Sequence, residues 1–232
     1  GWLVEKINYW IKYISDSDIK KGSAVVVESD FSPNSVSLFI ALLERKCIFI
    51  PISKTVSSKK DEFLRISKPN CIFTIDHKDE VKVTKIHQSR NNNYYHELNK
   101  RENPGLVLFS SGSTGESKAS VHDMSFILEK FILERNSLRT ITFLLYDHIG
   151  GVNTLLYTLS NVGFIVTADN RNPDSILELV EKYKVELLPT SPTFINLILL
   201  SEAYKRHDMS SLKMITYGTE PMPKTTLETF NK

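Results

Sequence analysis

The sequence is poor in the features that mark a secreted or nucleic-acid-binding protein. It has only two cysteines, Cys47 and Cys71, and both stand in apolar runs without the paired spacing of a metal site. Reduced thiols in a core are the plain interpretation, and they favour a cytoplasmic location. An excess of one charge is also missing, because 29 lysines and arginines face 27 aspartates and glutamates. A formal net charge of +2 favours neither nucleic acid nor an anionic membrane as partner, so we expect a small-molecule ligand.

Long apolar runs are lacking as well. The longest, such as residues 194–200, are too short to cross a bilayer, so no membrane span is expected. Lys6 and Lys12 interrupt the first segment before it could resemble the core of a signal peptide. No internal repeat is visible. Five histidines show no metal-ligand spacing, and no metal-binding residue is predicted: they are His77, His87, His96, His122 and His207.

The sequence does contain a regular alternation of strand-like and helix-like segments. This alternation predicts an α/β fold with a layered, largely parallel sheet and helices on both faces, where ligands bind at the carboxyl ends of strands. The polar residues 88–103 are predicted to form a surface connection, and the mixed charges at residues 59–62 a solvated helix face. We therefore predict two α/β subdomains, residues 1–102 and residues 103–232, the second carrying the segment described next.

The most informative stretch is residues 105–118, GLVLFSSGSTGESK. An apolar run ends at Phe109 and gives way to hydroxyl residues and glycines, which is typical of a strand leading into a phosphate-binding turn. An amphipathic helix is predicted next, and its free amide groups would favour an anion. Its apolar side would carry Met124, Ile127, Leu128, Phe131 and Ile132. The predicted phosphate-binding residues are Ser110, Ser111, Gly112, Ser113, Thr114, Gly115 and Lys118.

A Walker-type nucleotide loop is the obvious alternative for this stretch. That motif needs glycine immediately before the lysine, and Ser117 stands there instead. Two further segments lie at predicted strand ends, YDHIGG at residues 146–151 and ITYGTEPMP at residues 215–223. In order and separation the three segments resemble the adenylate-forming superfamily of acyl-CoA synthetases and other AMP-dependent ligases. Typical members have a Ser/Thr/Gly-rich loop followed by Gly-x-Pro-Lys-Gly, then a histidine or aromatic residue near Gly-Gly, then a Gly-x-Glu-Pro turn.

The resemblance covers nearly the whole chain and implies a reaction. A carboxylate would attack the α-phosphate of ATP to give an acyl-adenylate, and a thiol such as coenzyme A would then displace AMP, with Mg²⁺ bridging phosphate oxygens. Lys118 would hold the phosphates, and His148 with Gly150 and Gly151 would border the acyl pocket. Lys118 and His148 are thus the predicted catalytic residues. The predicted adenine-binding residues are Gly218, Thr219, Glu220 and Pro221.

Plainer interpretations stay open beside these roles. His148 could be a structural histidine, Asp147 a helix cap, and Tyr217 with Glu220 a strand-terminal turn. The protein could also be an acyl-AMP ligase that passes its product to an acyl carrier protein. From outside the enzymes, a non-catalytic nucleotide- or acyl-binding module and a protein-binding scaffold remain alternatives.

The chain departs from the family pattern in two respects. Ser117 and Ala119 stand where proline and glycine are usual, so the stiffness of the loop is expected to differ although Lys118 is kept. The family's later segments, including a small C-terminal domain with the adenylation lysine, would all follow Lys232. We therefore interpret the chain as the N-terminal fragment of an enzyme, and we expect it to be inactive alone.

Overall fold

The structure is a computed structural model that describes residues 1–86, 92–111, 115–218 and 220–230. Contacts divide the chain into two compact units, Gly1–Lys130 and Phe131–Lys232, and each unit contains its own sheet. Within the described ranges, no helix has the length and apolar character needed to traverse a bilayer.

The first unit is built on a six-stranded sheet. Its strands are β1 Ala24–Glu28, β2 Ile48–Ile52, β3 Cys71–Ile75, β4 Val81–Lys85, β5 Gly105–Ser111 and β6 Ser117–Asp123. Its helices are α1 Trp2–Asp16, α2 Pro33–Glu44, α3 Lys60–Ser67, α4 Asn93–Lys100 and α5 Met124–Glu129, with a 3-10 helix at Lys54–Lys59. The strand order is β4-β3-β1-β2-β5-β6, in which the four central strands are parallel and the outer strands β4 and β6 are antiparallel to their neighbours.

Helices cover both faces of this sheet. Successive residues of a strand point to opposite faces, so Val26 and Val25 of β1 lie in different layers. Val26 belongs to a core cluster that includes Phe63 of α3 and Leu98 of α4. On the other face the ring of Phe39 in α2 packs against Phe49 of β2, with 4.7 Å between the centroids. Because both faces of the sheet are buried, the sequences of β1 and β2 are almost entirely apolar and do not alternate with polar residues.

The second unit contains a four-stranded parallel sheet in which the spatial order of the strands differs from their order in the chain. Its strands are β7 Arg139–Ile141, β8 Phe164–Val166, β9 Leu187–Thr190 and β10 Met214–Tyr217, arranged in the order β10-β9-β7-β8. Its helices are α6 Ile149–Ser160, α7 Pro173–Tyr183, α8 Pro192–Ser201 and α9 Lys224–Phe230, with a 3-10 helix at Ala203–Lys205. Ile176 of α7 and Ile198 of α8 share a core cluster with Leu188 of β9. The predicted α/β class with largely parallel sheets is therefore confirmed.

Two expectations about local structure in the first unit are wrong. The segment after the phosphate-loop candidate is not a helix but strand β6, and α5 begins only at Met124, where the Asp123 side chain accepts a hydrogen bond from the backbone N–H of Ser125. Ile132, predicted on the buried side of that helix, is 79 % exposed and follows it. The polar residues 88–103 are not simply a surface connection, because α4 lies within them and packs Leu98 into the core.

The division into units also falls later than the predicted subdomain boundary at residue 102. Gly105 and Leu106 of β5 pair with β2, and β6 pairs along its whole length with β5, so both strands belong to the first unit. The polar stretch before β5 therefore lies within a unit rather than between units.

Candidate functional site

The phosphate-loop candidate joins two antiparallel strands. Ser110 of β5 lies opposite Lys118 of β6, and Ser111 lies opposite Ser117. Opposite residues of an antiparallel pair share a face, with Cβ atoms about 5 Å apart. Both Ser110 and Lys118 are exposed, and the Lys118 side chain forms no ion pair or hydrogen bond with another described residue. A hydroxyl group and an ammonium group are thus presented together beside the loop.

The loop itself is described at only one of its predicted glycines. Gly115 has a φ of +88°, a conformation that favours glycine, although nothing lies within 4 Å of the position a Cβ would take. Glycine is needed at position 115 for its backbone angle and not for space. The predicted phosphate ligands Gly112, Ser113 and Thr114 lie outside the described residues. An anion-binding helix N-terminus directly after the loop, which the sequence predicted, is replaced by the backbone of β6.

Helix α3 contacts the loop end of this hairpin through two neighbouring residues. The backbone N–H of Ser117 donates to Glu62 Oε1 at 2.7 Å. The Phe63 ring stacks on Phe109 of β5, with 3.9 Å between centroids and 2° between planes. The Ser117 amide lowers the pKa of the Glu62 carboxyl group from its usual range. The start of β6, and with it Lys118, is therefore connected to α3 by a charge-assisted hydrogen bond.

Glu62 is a residue whose contact the sequence analysis missed. It belongs to the charge run interpreted as a solvated helix face, and its partner is 55 positions away in the chain. Lys60 of the same run also has a partner, because its Nζ lies 2.6 Å from Glu28 Oε2. Ser117 was the signal that could have indicated this contact. It stands where the family usually has proline, and unlike proline it has a backbone N–H group that needs a hydrogen-bond acceptor.

The YDHIGG segment leads into α6 in the second unit. Tyr146 is buried, whereas the His148 side chain is 62 % exposed and its Nε2 lies 3.8 Å from Asp147 Oδ1. His148 occupies the N-cap position of α6 without a capping hydrogen bond from its side chain, so Asp147 is not the N-cap residue. A Cβ on Gly151 would lie 1.9 Å from the carbonyl oxygen of Leu145, so only glycine fits there. This glycine has a packing role that is independent of any ligand.

The third segment follows β10 and contacts the start of α8. Glu220 Oε2 accepts a hydrogen bond from Thr193 Oγ1 at 2.7 Å, and the Thr193 backbone N–H approaches Glu220 Oε1 at 3.4 Å. Tyr217 is 47 % exposed at the strand end. Glu220 thus has a partner within the second unit, and an adenine contact for Gly218, Glu220 and Pro221 stays a prediction. Thr219 lies outside the described residues.

The predicted site residues fall into two groups. Ser110, Gly115 and Lys118 lie in the first unit. His148 and Glu220 lie in the second, where β7 and β10 belong to one parallel sheet and the segments after them leave from the same sheet edge. Among the described residues, no group of three or more His, Cys, Asp or Glu side chains could hold a metal ion.

Comparison with known proteins decides the family. The family model of the AMP-binding enzymes matches residues 12–232. The chain belongs to the AMP-binding enzyme family. This AMP-binding chain is 29 % identical over 143 residues to a 3-hydroxypropionyl-coenzyme A synthetase of Sulfurisphaera tokodaii, covering 51 % of the chain and 20 % of that protein. It is 21 % identical over 253 residues to the 4-coumarate--CoA ligase-like 3 protein of Arabidopsis thaliana, covering 91 % of the chain and 45 % of that protein.

A solved structure supports the fold of the AMP-binding chain. The N-terminal subdomain of NpsA from Klebsiella oxytoca, in complex with 3-hydroxyanthranilyl-AMSN, superposes with a TM-score of 0.79 at 14 % identity. That comparison covers 98 % of this chain and 61 % of the other. The chain spans less than half the length of the two curated relatives named above.

Proposed function

We propose that the protein containing this chain activates a carboxylic acid with ATP and transfers the acyl group to a thiol. In the first step a carboxylate oxygen bonds to the α-phosphorus of ATP, the bond to the β-phosphate oxygen breaks, and pyrophosphate leaves. In the second step a thiol such as coenzyme A bonds to the acyl carbon, AMP leaves, and the thiol proton is lost. The overall activity is that of an AMP-forming acid–thiol ligase.

The observation that supports this proposal is the hairpin geometry at the loop in a chain of the AMP-binding family. β5 and β6 set the exposed Ser110 and Lys118 opposite each other beside the glycine–serine turn. A hydroxyl donor and a fixed positive charge suit the phosphates of ATP, whose transfer depends on positioning and on charge stabilisation. In this proposal Lys118 binds the phosphate oxygens, and Gly115 keeps the backbone of the turn close to them.

The remaining predicted residues have supporting parts in the proposal. Gly112, Ser113 and Thr114 complete the phosphate loop, and His148 borders the acyl pocket. The turn over residues 218–221 lies against adenine, with Glu220 held in place by its bonds to Thr193. A Mg²⁺ ion would neutralise phosphate charge when bound. A metal ion held mainly by substrate oxygens and water fits a chain whose described residues contain no cluster of metal ligands.

ATP–pyrophosphate exchange by the complete protein tests the first step. Carboxylic acids are screened until exchange is found, and Lys118→Ala is then compared with wild type. We expect Lys118→Ala to lose about 10²-fold in exchange rate, since that is the usual loss when one preorganised donor to a developing charge is removed. Lys82→Ala is the matched control, because Lys82 is exposed on β4 of the same unit. Full exchange by Lys118→Ala would remove the loop from the proposal.

The acceptor needs a separate assay. The acyl-adenylate made by the complete protein is offered coenzyme A and, in parallel, an acyl carrier protein with its phosphopantetheine thiol. Acyl-CoA formation supports the synthetase proposal, and loading of only the carrier supports the acyl-AMP ligase alternative. Because the chain spans less than half the length of its curated relatives, we propose that these 232 residues alone bind ATP weakly and form no adenylate.

A further inference from the structure

A polar cavity lies in the first unit, away from the loop. Ser23 and Asn70 precede β1 and β3, whereas the loop follows the carboxyl end of β5. These strands run parallel, so the cavity and the loop are at opposite edges of one sheet. The cavity has a volume of about 330 Å³, and an adjoining hollow of about 260 Å³ shares Lys20, Ser23 and Asn70 with it.

The charges around this cavity are mostly of one sign. Lys20, Lys21 and Lys68 line it, and its described lining includes no aspartate or glutamate. Lys21 Nζ forms an ion pair with Glu102 Oε1 at 2.6 Å. Lys20 Nζ lies 4.0 Å from Asp18 Oδ1, and because both side chains are 80 % exposed this ion pair is weak. The Lys68 side chain is exposed and forms no ion pair with another described residue. A positive charge is therefore available at Lys68 in a concave site.

Two asparagines in the lining have their amide oxygens already engaged. Asn70 Oδ1 accepts the backbone N–H of Ala24 at 2.8 Å. Asn92 Oδ1 accepts the N–H groups of Tyr94 and Tyr95 at 3.0 and 3.3 Å as the N-cap of α4. A backbone N–H can only be matched by the oxygen of the amide, so the orientation of both groups is determined. Each side chain is left with an NH₂ group, which can only donate.

One wall of the cavity is formed where the Asn99 side chain lies close to the backbone of Gly22. Gly22 has a φ of +76°, and a Cβ there would lie 1.9 Å from Asn99 Oδ1. Glycine at position 22 thus leaves room for the Asn99 side chain of α4 beside the turn before β1, and Asn92 and Lys20 line the same cavity. The donors come from three separate chain segments that the core of the unit holds together.

We propose that this cavity, the Asn70–Asn92 cleft, binds a small multivalent oxyanion of the phosphate class. Oxygen atoms of such an anion accept hydrogen bonds from the two amide NH₂ groups and interact with the Lys68 ammonium group. A metal cation is disfavoured by the lysines, and a neutral ligand would leave their charge unused. The cleft is distinct from the loop at the opposite sheet edge, and the proposal does not depend on the adenylation activity.

Asn-to-Asp variants give a sharp test because they change the donor without removing the structural bond. An aspartate at position 70 or 92 keeps one oxygen for the backbone N–H groups, while its second oxygen turns a donor into a negatively charged acceptor. Inorganic diphosphate is the probe, titrated calorimetrically at low salt into the 232-residue chain carrying Lys118→Ala, so that the positive charge beside the loop does not contribute. We expect saturable binding in this background and a loss of about tenfold or more in affinity for Asn70→Asp/Asn92→Asp.

Two further variants complete the experiment. Lys68→Gln is expected to weaken diphosphate binding several-fold, whereas Lys82→Gln, on the exposed face of β4, is expected to leave it unchanged. If the Asn-to-Asp protein does not fold by circular dichroism, Lys68→Gln decides alone, because the Lys68 side chain is exposed and forms no hydrogen bond or ion pair with another described residue. The proposal is overturned if the Lys118→Ala background binds no diphosphate, or if Lys68→Gln and the folded Asn-to-Asp variant both bind it as that background does.

Discussion

Replacing Gly151 by alanine should destabilise the second unit, whereas the same change at its neighbour Gly150 should not. Both glycines lie in the first turn of α6. A Cβ at position 151 would lie 1.9 Å from Leu145 O and 2.6 Å from Leu144 O, and both atoms belong to the backbone. At position 150 the nearest atom is the end of the Leu144 side chain at 2.9 Å, which can rotate away.

The magnitudes follow from these contacts. Alanine is favoured over glycine in a helix by up to about 1 kcal/mol, so Gly150→Ala should be neutral or slightly stabilising. At Gly151 the backbone must move to admit the methyl group, and overpacking of this kind costs about 3 kcal/mol. The corresponding shifts in melting temperature are a fall of about 6–12 °C for Gly151→Ala and little change for Gly150→Ala.

Thermal and chemical unfolding of the two variants, measured side by side with wild type, check this reasoning. Equal stabilities for Gly150→Ala and Gly151→Ala would refute the packing explanation of the second glycine. A Gly151→Ala protein that is fully stable but changes its preference among carboxylic acids in the exchange assay would instead assign Gly151 to the acyl pocket.

Two more predictions concern titratable groups in the first unit. Glu62→Gln should lower the free energy of unfolding at pH 7, and the difference from wild type should disappear as pH falls through the lowered pKa of Glu62, because a depressed pKa stabilises only above it. Ser117→Pro removes the donor, so Glu62→Gln should have no further effect in that background; an unchanged effect there contradicts the assignment. Burial raises the pKa of Cys47 and Cys71 to about 12, so neither thiol should react with a disulfide reagent at pH 8 until denaturant is added. Fast labelling without denaturant would contradict this.

Much of the fold could be predicted from the sequence because its central strands are buried on both faces. Such strands are short apolar runs, as in residues 24–28 and 48–52, and their alternation with apolar-faced helices indicates parallel sheets. Strand β6 escaped prediction because it is polar and half exposed, and Ser117 is its only buried residue. Helix α4 escaped because Tyr95 and Leu98 are its only buried residues, too few to give a clear helical period.

In the candidate site, too, some residues could be selected from the sequence, whereas their long-range contacts could not. The loop composition and the segments at strand ends are local patterns, so Ser110, Gly115 and Lys118 could be selected from the sequence as candidates, and their role in binding stays a prediction. The bond from Ser117 to Glu62 could not, because no local pattern connects residues 55 positions apart. The bond from Thr193 to Glu220 likewise depends on how β10 and α8 pack, and a motif gives no information on that.

The antiparallel outer strands of the first sheet have a consequence for handling the protein. β4 and β6 are the two edges of the described six-stranded sheet, and an edge strand offers unpaired backbone groups to other molecules. Lys82 on β4 and Lys118 on β6 are exposed at these edges. Charged lysines at an edge oppose the addition of a further strand, so we expect the loss of Lys118 to favour self-association. Substitutions that remove it should therefore be compared at low protein concentration, with light scattering recorded beside every activity measurement.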